Sequence, residues 1–466
     1  MERLEPIIAT VTGRTPALQR AAAERALKAG AGCVEFRIDT LSPSESPESL
    51  LDLAGRRAVI FAGSRRRTIA RELEFFRTAQ ERGAWVDVPY SPGARNRETG
   101  LSPRRLILSW HDFERTPDLT GVLREMRRVH AACYKLVPTA RDFDDVLSVK
   151  RLLLSKGEGG RLCAFAMGTP GVPSRVLALA WGSAAIYASA PGCAAGAPGQ
   201  MPLEELLSHR PGDLRPDEPL YGLVGWPLPF SMTPFFFNEW LQKRGLPGRY
   251  LRIPVKRLEA FRVLAQEIPL QGLAVTLPHK QAILSYLTGA SRLVRKAEAC
   301  NTVLMEGEAF YGVNTDVFGI RRALHSLPKV GLRTLVLGAG GAASAALLAL
   351  HRRGHCAVAA RRPEQARALA DRFGSVAIPL RSHLNWDWDL LVNATPVGAG
   401  GEGSPVEAGE LSGKWVFDMV VRRERTPLAA AAARRGLGVI EGLDMLRAQA
   451  RLQFKLWTRR NPPRPD

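Results

Sequence analysis

Lysine is scarce in this chain, with 11 among 466 residues against 54 arginines. A lysine inside a motif therefore carries more information than usual. Cysteine is sparser still, and the six present (Cys33, Cys133, Cys163, Cys193, Cys300, Cys356) have no paired spacing. That excludes a disulfide frame and a zinc site, so no metal is expected, and it points to a reducing compartment, the cytoplasm. A secretory leader is lacking as well: Met1-Glu2-Arg3-Leu4-Glu5 runs directly into Ile7-Ile8-Ala9-Thr10-Val11, with no basic segment ahead of an apolar one, and secretion is not expected. Long hydrophobic runs are missing. The longest uncharged stretch, between Arg175 and Glu204, is broken by Pro191, Pro198 and several glycines, and it reads as buried strand plus loop rather than a membrane span. Acidic residues number 45 against 65 basic ones, a formal charge of +20. Such a balance can mean nucleic acid, but these arginines are spread along the whole length, with no basic tail and no aromatic-interleaved module. They read as a solvated surface whose field favours small anionic metabolites. Neither nucleic acid nor membrane is expected as a partner, and the oligomeric state is left open. A composition of 45% apolar and 24% charged residues leaves a soluble globular enzyme, long enough for two or three domains.

The stretch from Thr334 to Arg362 gives the first positive sign. Thr334-Leu335-Val336-Leu337 is a short apolar run followed by Gly338, Gly340 and Gly341 and then by a segment rich in Ala and Leu up to Arg353, which reads as strand, tight turn and helix. Gly338 suits a positive-φ turn, Gly340 lets backbone approach a pyrophosphate, and Ala343 takes the third small position where helix meets strand. A second strand, Cys356 to Ala360, completes a βαβ unit that fits a dinucleotide. At its end an NAD site usually places an acid for the ribose 2′-hydroxyl; this chain has Arg361-Arg362, which suits a 2′-phosphate and makes NADP the expected cofactor.

The first half contains eight short apolar runs with helical segments between them: Ile7 to Val11, Val34 to Ile38, Val59 to Ala62, Trp85 to Val88, Leu106 to Ser109, Tyr134 to Val137, Leu162 to Ala166 and Ala184 to Ala188. Eight strands alternating with helices over roughly 200 residues are what a (β/α)8 barrel needs, with its chemistry at the C-terminal strand ends. Polar residues stand at those ends: Glu35, Arg37 and Asp39 on the second, His111-Asp112 on the fifth, Lys135 in the sixth, and Met167-Gly168 on the seventh before Ser174-Arg175. A lysine in such a desolvated, cation-flanked pocket is expected to titrate below its free value of about 10.4 and so to attack a carbonyl, with His111 as proton carrier.

Between Ser208 and Pro219 the sequence turns polar and proline-rich and reads as a linker. A second α/β region follows, with a turn at Pro229-Phe230-Ser231-Met232-Thr233-Pro234, a strand and turn through Thr276 to His279-Lys280, and two strand ends at Ala299-Cys300-Asn301-Thr302 and Gly312-Val313-Asn314-Thr315-Asp316. Beside a nicotinamide site, Lys280 and Asp316 make a proton donor and its orienting acid.

The motifs Glu35-Phe36-Arg37-Ile38-Asp39, Ser109-Trp110-His111-Asp112-Phe113 with Thr116-Pro117, Lys135, Met167-Gly168 with Ser174-Arg175, and Ala197-Pro198-Gly199-Gln200 resemble those of type I 3-dehydroquinate dehydratase from about Ile7 to Leu207. The resemblance implies an imine between Lys135 and the C3 ketone, His111 moving the C2 proton and assisting loss of water, and Glu35, Arg37, Arg65, Arg175 and Gln200 holding the substrate. It also marks departures: no Glu-Gly-Gly occurs in Ser64 to Arg71, where the family keeps the acid that orients the histidine, and Gly196 replaces a serine. Leu220 to Trp457 resembles shikimate dehydrogenase, through the motifs above and through Asn393-Ala394-Thr395-Pro396-Val397-Gly398, Phe417-Asp418-Met419, Thr426-Pro427-Leu428 and Gly442-Leu443 to Gln449. That likeness implies that Ser231 and Thr233 hold the substrate carboxylate, that Thr276, Asn301 and Gln449 hold its hydroxyls, and that Lys280 and Asp316 are catalytic. Gly338, Gly340, Gly341, Ala342, Ala343, Arg361, Arg362, Thr395, Met419 and Gly442 then border NADPH. Phe230, Ala274, Val421 and Arg423 depart from that family's usual histidine, asparagine, tyrosine and proline.

The expected architecture is thus an α/β chain: a (β/α)8 barrel over residues 1–208, a linker over 209–219, a substrate lobe over 220–316 completed by 440–466, and a Rossmann-type NADP lobe over 317–439. The expected activity is dehydration of 3-dehydroquinate followed by reduction of 3-dehydroshikimate. Its rivals are a quinate/shikimate dehydrogenase with a weakened dehydratase half, and an inert metabolite sensor. A sensor has no need of Lys135, His111, Lys280 and Asp316 together.

Overall fold

Eight strands open the chain: β1 (Ile7–Val11), β2 (Cys33–Arg37), β3 (Val59–Ala62), β4 (Trp85–Pro89), β5 (Leu106–His111), β6 (Cys133–Val137), β7 (Arg161–Ala164) and β8 (Ile186–Ser189). They coincide with the eight apolar runs, and nearly every position is buried. Strands covered on both faces are what a parallel sheet wrapped by helices requires. The order is β7-β6-β5-β4-β3-β2-β1-β8. Across the seam between its two ends, Ala184 N donates to Leu162 O (2.7 Å), and the Ser183 hydroxyl accepts from Ala164 N (3.1 Å) and donates to Ala185 O (2.8 Å). A side chain thus splices the barrel where the strand ladder stops. This computed structural model describes residues 4–55, 59–63, 70–90, 100–155, 161–228, 231–380, 386–422 and 424–463.

The remaining strands are β9 (Leu220–Gly225), β10 (Arg249–Pro254), β11 (Leu270–Val275), β12 (Gly289–Ala290), β13 (Thr302–Glu306), β14 (Ala309–Val313), β15 (Thr334–Leu337), β16 (Cys356–Ala359), β17 (Val376–Ala377), β18 (Leu390–Asn393), β19 (Trp415–Asp418) and β20 (Gly438–Glu441). Packing divides the chain into two compact units, Met1–Leu220 with Pro227–Phe230 and Pro247–Pro269, and Tyr221–Trp226 with Ser231–Leu246 and Leu270–Asp466. In the second unit β9-β11-β13-β14-β12 run side by side, and a separate parallel sheet has the order β17-β16-β15-β18-β19-β20. That is the 3-2-1-4-5-6 order of a doubly wound dinucleotide fold, whose ligand crevice lies where the order reverses, here between β15 and β18. Alternation accounts for the layers. Val336, Val358, Val392 and Phe417 pack on one face with the helix Gly341–Leu350, and Leu335, Leu337, Ala357, Ala359, Leu391 and Val416 pack on the other.

The segment Pro247–Pro269 belongs to the first unit through specific contacts. Glu267 pairs with Lys150 (3.1 Å) and Arg151 (3.3 Å) on the helix Phe143–Leu154, and Arg252 pairs with Glu205 and donates to Leu228 O (3.1 Å). Arg249 donates to the carbonyls of His209 and Arg210. The stretch read as a linker is therefore packed at its start: His209 is buried, and Pro211–Asp213 forms a 3-10 turn.

Candidate active sites

The barrel gathers its polar side chains by register. Thr10 pairs with Glu35 across β1 and β2, and Ser109 pairs with Lys135 across β5 and β6. Lys135 Nζ reaches Asp87 Oδ2 at 2.9 Å and Glu35 Oε1 at 3.1 Å, and lies 3.9 Å from the centroid of the Tyr187 ring. The lysine is only 5% exposed. An ammonium buried so deeply is tolerated because both carboxylates face it. Glu35 Oε2 accepts from the Thr10 hydroxyl (3.0 Å), which in turn accepts from Gln200 Nε2 (3.1 Å). The Gln200 oxygen accepts from Gly196 N (2.6 Å). Where the family keeps a serine, the backbone of Gly196 thus anchors the glutamine. Arg37 is clamped by both oxygens of Asp39 at 2.9 and 2.7 Å. Burial works against its charge, but the bond to Asp39 and the field of Glu35 prevail and raise its pKa.

Arg175 sits on the helix Val172–Leu177, 1% exposed, with its guanidinium over the Phe165 ring and one Nη donating to Pro198 O (3.3 Å). Its Nε has no hydrogen-bond partner among the described residues, and burial pushes its pKa down to about 10. A buried guanidinium N–H left unpaired is costly, so this donor suits an anionic ligand. His111 lies two residues beyond Ser109 on β5, hence on the same face as Lys135 and one layer nearer the C-terminal rim. Its ring stacks 6.1 Å from Phe113.

The expected lowering of the Lys135 pKa is corrected by these contacts. Burial does favour the neutral amine, but Asp87 and Glu35 outweigh it and the pKa is raised. Asp87, Thr10 and Tyr187 had no role in the sequence reading, and the one available signal was an acid inside Trp85-Val86-Asp87-Val88. Arg65 lies outside the described residues. The orienting acid is absent from Ser64 to Arg71, yet a carboxylate does stand at the end of β3: Glu72 lies so close to Gly63 that a Cβ there would meet Glu72 Oε1 at 1.7 Å.

In the second unit Lys280 follows β11, and Asp316 opens the helix Asp316–Ala323. The N-terminus of a helix favours a carboxylate. Lys280 Nζ meets Asp316 Oδ2 at 2.5 Å, while Oδ1 accepts from Asn301 Nδ2 at 2.8 Å. The same amide approaches Thr315 Oγ1 (2.9 Å) and Gln449 Oε1 (3.3 Å), and Asn301 Oδ1 accepts from Thr315 N (2.7 Å). Four of the expected residues, Lys280, Asp316, Asn301 and Gln449, thus form one network. Thr276 lies beside Gly225, and Thr233 N donates to Ser231 Oγ (3.2 Å) at the start of the helix Thr233–Lys243.

The glycine-rich turn has the geometry a pyrophosphate needs. Gly338 has φ +109°, and a Cβ on Gly340 would meet nothing within 4 Å. A Cβ on Gly341 would meet the Lys280 stem at 2.9 Å, so this glycine lets the turn lie against the second lysine. Ala343 is buried where the helix meets the sheet, and Ala342 precedes it. Arg361 and Arg362 are exposed just past β16, with Arg362 capping the helix Pro363–Phe373. At the ends of β18 and β19 the Asn393 side chain accepts from the Thr395 hydroxyl (2.6 Å) and donates to Asp418 (2.9 Å). Met419 N donates to Asn393 O (3.1 Å), and Gly442 packs against the Met419 carbonyl. These loops border the switch-point crevice, so the residues present fit a dinucleotide with a 2′-phosphate. Among the described residues no cluster of His, Cys, Asp and Glu could hold a metal, no helix is long and apolar enough to cross a membrane, and all six cysteines are free.

Fold and sites define a class: a (β/α)8 barrel with a buried, carboxylate-paired lysine, carried on one chain with a doubly wound dinucleotide-type α/β fold. Comparison with known proteins narrows it. The Type I 3-dehydroquinase family matches residues 7–209, and the shikimate dehydrogenase substrate binding domain matches residues 223–303. Shikimate dehydrogenase (NADP(+)) of Oleidesulfovibrio alaskensis is 37% identical over 254 residues, 52% of this chain and 91% of that protein. The shikimate biosynthesis protein AroDE of Chlamydia pneumoniae is 28% identical over 442 residues, 91% of this chain and 89% of its own. A shikimate 5-dehydrogenase structure from Thermus thermophilus aligns at 35% identity and TM-score 0.48, covering 52% of this chain and 95% of that one. The chain belongs to the family of bifunctional type I 3-dehydroquinase/shikimate dehydrogenases.

Proposed function

We propose that the chain carries out two consecutive steps of the shikimate pathway, in the cytoplasm: dehydration of 3-dehydroquinate in the barrel, and reduction of the resulting 3-dehydroshikimate to shikimate with NADPH. The observation that carries the first step is the pairing of the buried Lys135 with Asp87 and Glu35 inside the barrel. Either carboxylate can take a proton from the ammonium as Nζ attacks the C3 carbonyl carbon, and the carbonyl oxygen leaves as water to give a protonated imine. His111 then removes the C2 proton, the electron pair moves toward nitrogen, and the resulting enamine expels the C1 hydroxyl as water with help from the same imidazole. Hydrolysis of the imine returns the amine. Arg175 fits the substrate carboxylate, and Glu35, Arg37, Arg65 and Gln200 orient its hydroxyls.

In the dehydrogenase, Lys280 protonates the carbonyl oxygen as it gains negative charge, and Asp316, itself held by Asn301, keeps the ammonium aimed. Bound NADPH supplies the hydride. Ser231 and Thr233 hold the carboxylate, Thr276, Asn301 and Gln449 the hydroxyls, and Arg361-Arg362 the 2′-phosphate. The boundaries proposed for these functional parts are those read from the sequence, residues 1–208 for the dehydratase and 220–466 for the dehydrogenase. A coupled assay tests both steps: dehydroquinate alone should give the enone absorbance, and adding NADPH should consume the enone and the cofactor together. No enone, or enone with no NADPH loss, would remove the first or the second assignment respectively.

A further inference from the structure

We propose that the Tyr187 ring is a catalytic group of the barrel, holding positive charge on the Lys135 nitrogen through the imine stage. This rests on the assignment of Lys135 as the imine-forming residue. Three observations lead to it. Lys135 Nζ lies 3.9 Å from the centroid of the Tyr187 ring. Tyr187 itself is 3% exposed, on β8, so the contact is desolvated, where a cation over an aromatic face is held most strongly. The phenol hydroxyl is buried with no hydrogen-bond partner among the described residues, so no hydrogen bond shown for this side chain accounts for its place; the ring contact does. The arrangement is repeated next door, where Phe165 lies 5.7 Å from Tyr187 and carries the Arg175 guanidinium over its own face at 4.9 Å. Two neighbouring, tilted rings thus each face a buried cation.

A ring offers what the carboxylates cannot. The imine draws electrons from C2 only while its nitrogen carries the proton, and that nitrogen is the former Nζ, already over the ring. Glu35 and Asp87 stabilise the cation too, but each can accept its proton and quench the electron sink. The face of Tyr187 stabilises the charge and has no basic atom to take the proton. It therefore favours the cationic imine over the neutral one.

The test keeps the full chain and varies the ring while keeping its shape. Tyr187→Phe should lower dehydration kcat by less than about threefold. Tyr187→Leu should lower it about tenfold or more with KM nearly unchanged. Phenylalanines carrying one, two and three ring fluorines at position 187, incorporated by suppression, should lower kcat stepwise as the face loses electron density. Far-ultraviolet circular dichroism and thermal unfolding of the same preparations report a folded barrel, and turnover of supplied dehydroshikimate an intact second unit. A flat fluorine series, or Tyr187→Phe losing as much as Tyr187→Leu, would overturn the role of the ring. Borohydride added to the parent chain during turnover separates the two layers: an adduct at Lys135 with a flat series sinks only this proposal, whereas an adduct at another residue sinks the assignment of Lys135 as well.

Discussion

The two lysines to which we assign chemistry, Lys135 and Lys280, have different surroundings, and the difference matches what the two proposed reactions require. Lys135 is sealed in the barrel, its side chain 6% exposed, with two carboxylates and an aromatic face around one nitrogen. Lys280 keeps 18% of its side chain open and has one carboxylate, Asp316, which Asn301 holds from behind. A nucleophile that becomes part of the substrate needs neighbours that take up its proton and then tolerate a cation in a dry cavity. A proton donor needs a fixed aim and a route by which its proton is replaced. On the proposed roles, burial and partner number track the lifetime of the charge on nitrogen: a covalent intermediate for Lys135, a transient transfer for Lys280.

The largest expected effect breaks the pair apart. Lys135→Ala should reduce dehydroquinate conversion by roughly 10⁴ or more and abolish borohydride trapping, while reduction of supplied dehydroshikimate continues; a coupled spectrophotometric assay plus peptide mass mapping reads all three. Undiminished dehydration would mean the buried lysine is structural. Next in size, Lys280→Ala or Asp316→Asn should lower dehydrogenase kcat by about 10² to 10³ while KM moves less, so that dehydroshikimate accumulates from dehydroquinate. If KM rose and kcat held, Lys280 would be a binding group and the contrast between the two would lose its basis.

A smaller effect concerns the cofactor beside Lys280. Replacing Arg361 and Arg362 by alanine should cut kcat/KM for NADPH by about 10- to 100-fold and leave NADH nearly unaltered, since one charge-assisted contact to phosphate contributes roughly 1.5 to 3 kcal/mol. Parent enzyme that used NADH equally well would contradict it.

How much of this was legible in the sequence differs between the two lysines. The glycine turn, the place of the arginines just past β16 and the contact of Lys280 with Asp316 are local or motif-bound, and these placements could be read directly. The eight barrel strands were also readable, because apolar runs covered on both faces leave a plain pattern. The electrostatics of Lys135 were not. Asp87 and Thr10 sit within runs whose apolar character dominates, and their meaning depends on which strand faces which once the barrel closes. The sign of the lysine's pKa shift follows from Asp87 and Glu35 both reaching Nζ, which no spacing along the chain encodes. The burial at the start of the His209 to Pro219 linker is hidden for a similar reason: its polar composition says nothing of the cover that Arg249 and Arg252, some forty residues on, supply.

The same buried start yields the smallest effect, on stability rather than turnover. The His209 imidazole is buried beside Arg252 and Arg249, and desolvation first, then those two charges, lower its pKa to about 3, although a bond to the Tyr250 backbone works the other way. In the unfolded chain it titrates near 6.5. Above about pH 6.5 it is neutral in both states and costs nothing. As pH falls from there toward 3, the unfolded chain takes up a proton that the folded one refuses, and this single group should remove about 1.4 kcal/mol of stability per pH unit. The contribution is thus present at neutral pH and lost in acid. Denaturant midpoints at pH 7, 6 and 5 would measure it, with His209→Gln as the comparison, since that side chain stays polar and cannot take up the proton. Lower stability at pH 7 but a flatter slope is expected of the variant. Parallel slopes would mean that His209 is protonated in the folded protein despite its two arginine neighbours. The two activities, followed over the same titration, add a check on the contrast between the units: His209 belongs to the unit that holds Lys135, so on acidification dehydration should fail at a higher pH than reduction of supplied dehydroshikimate.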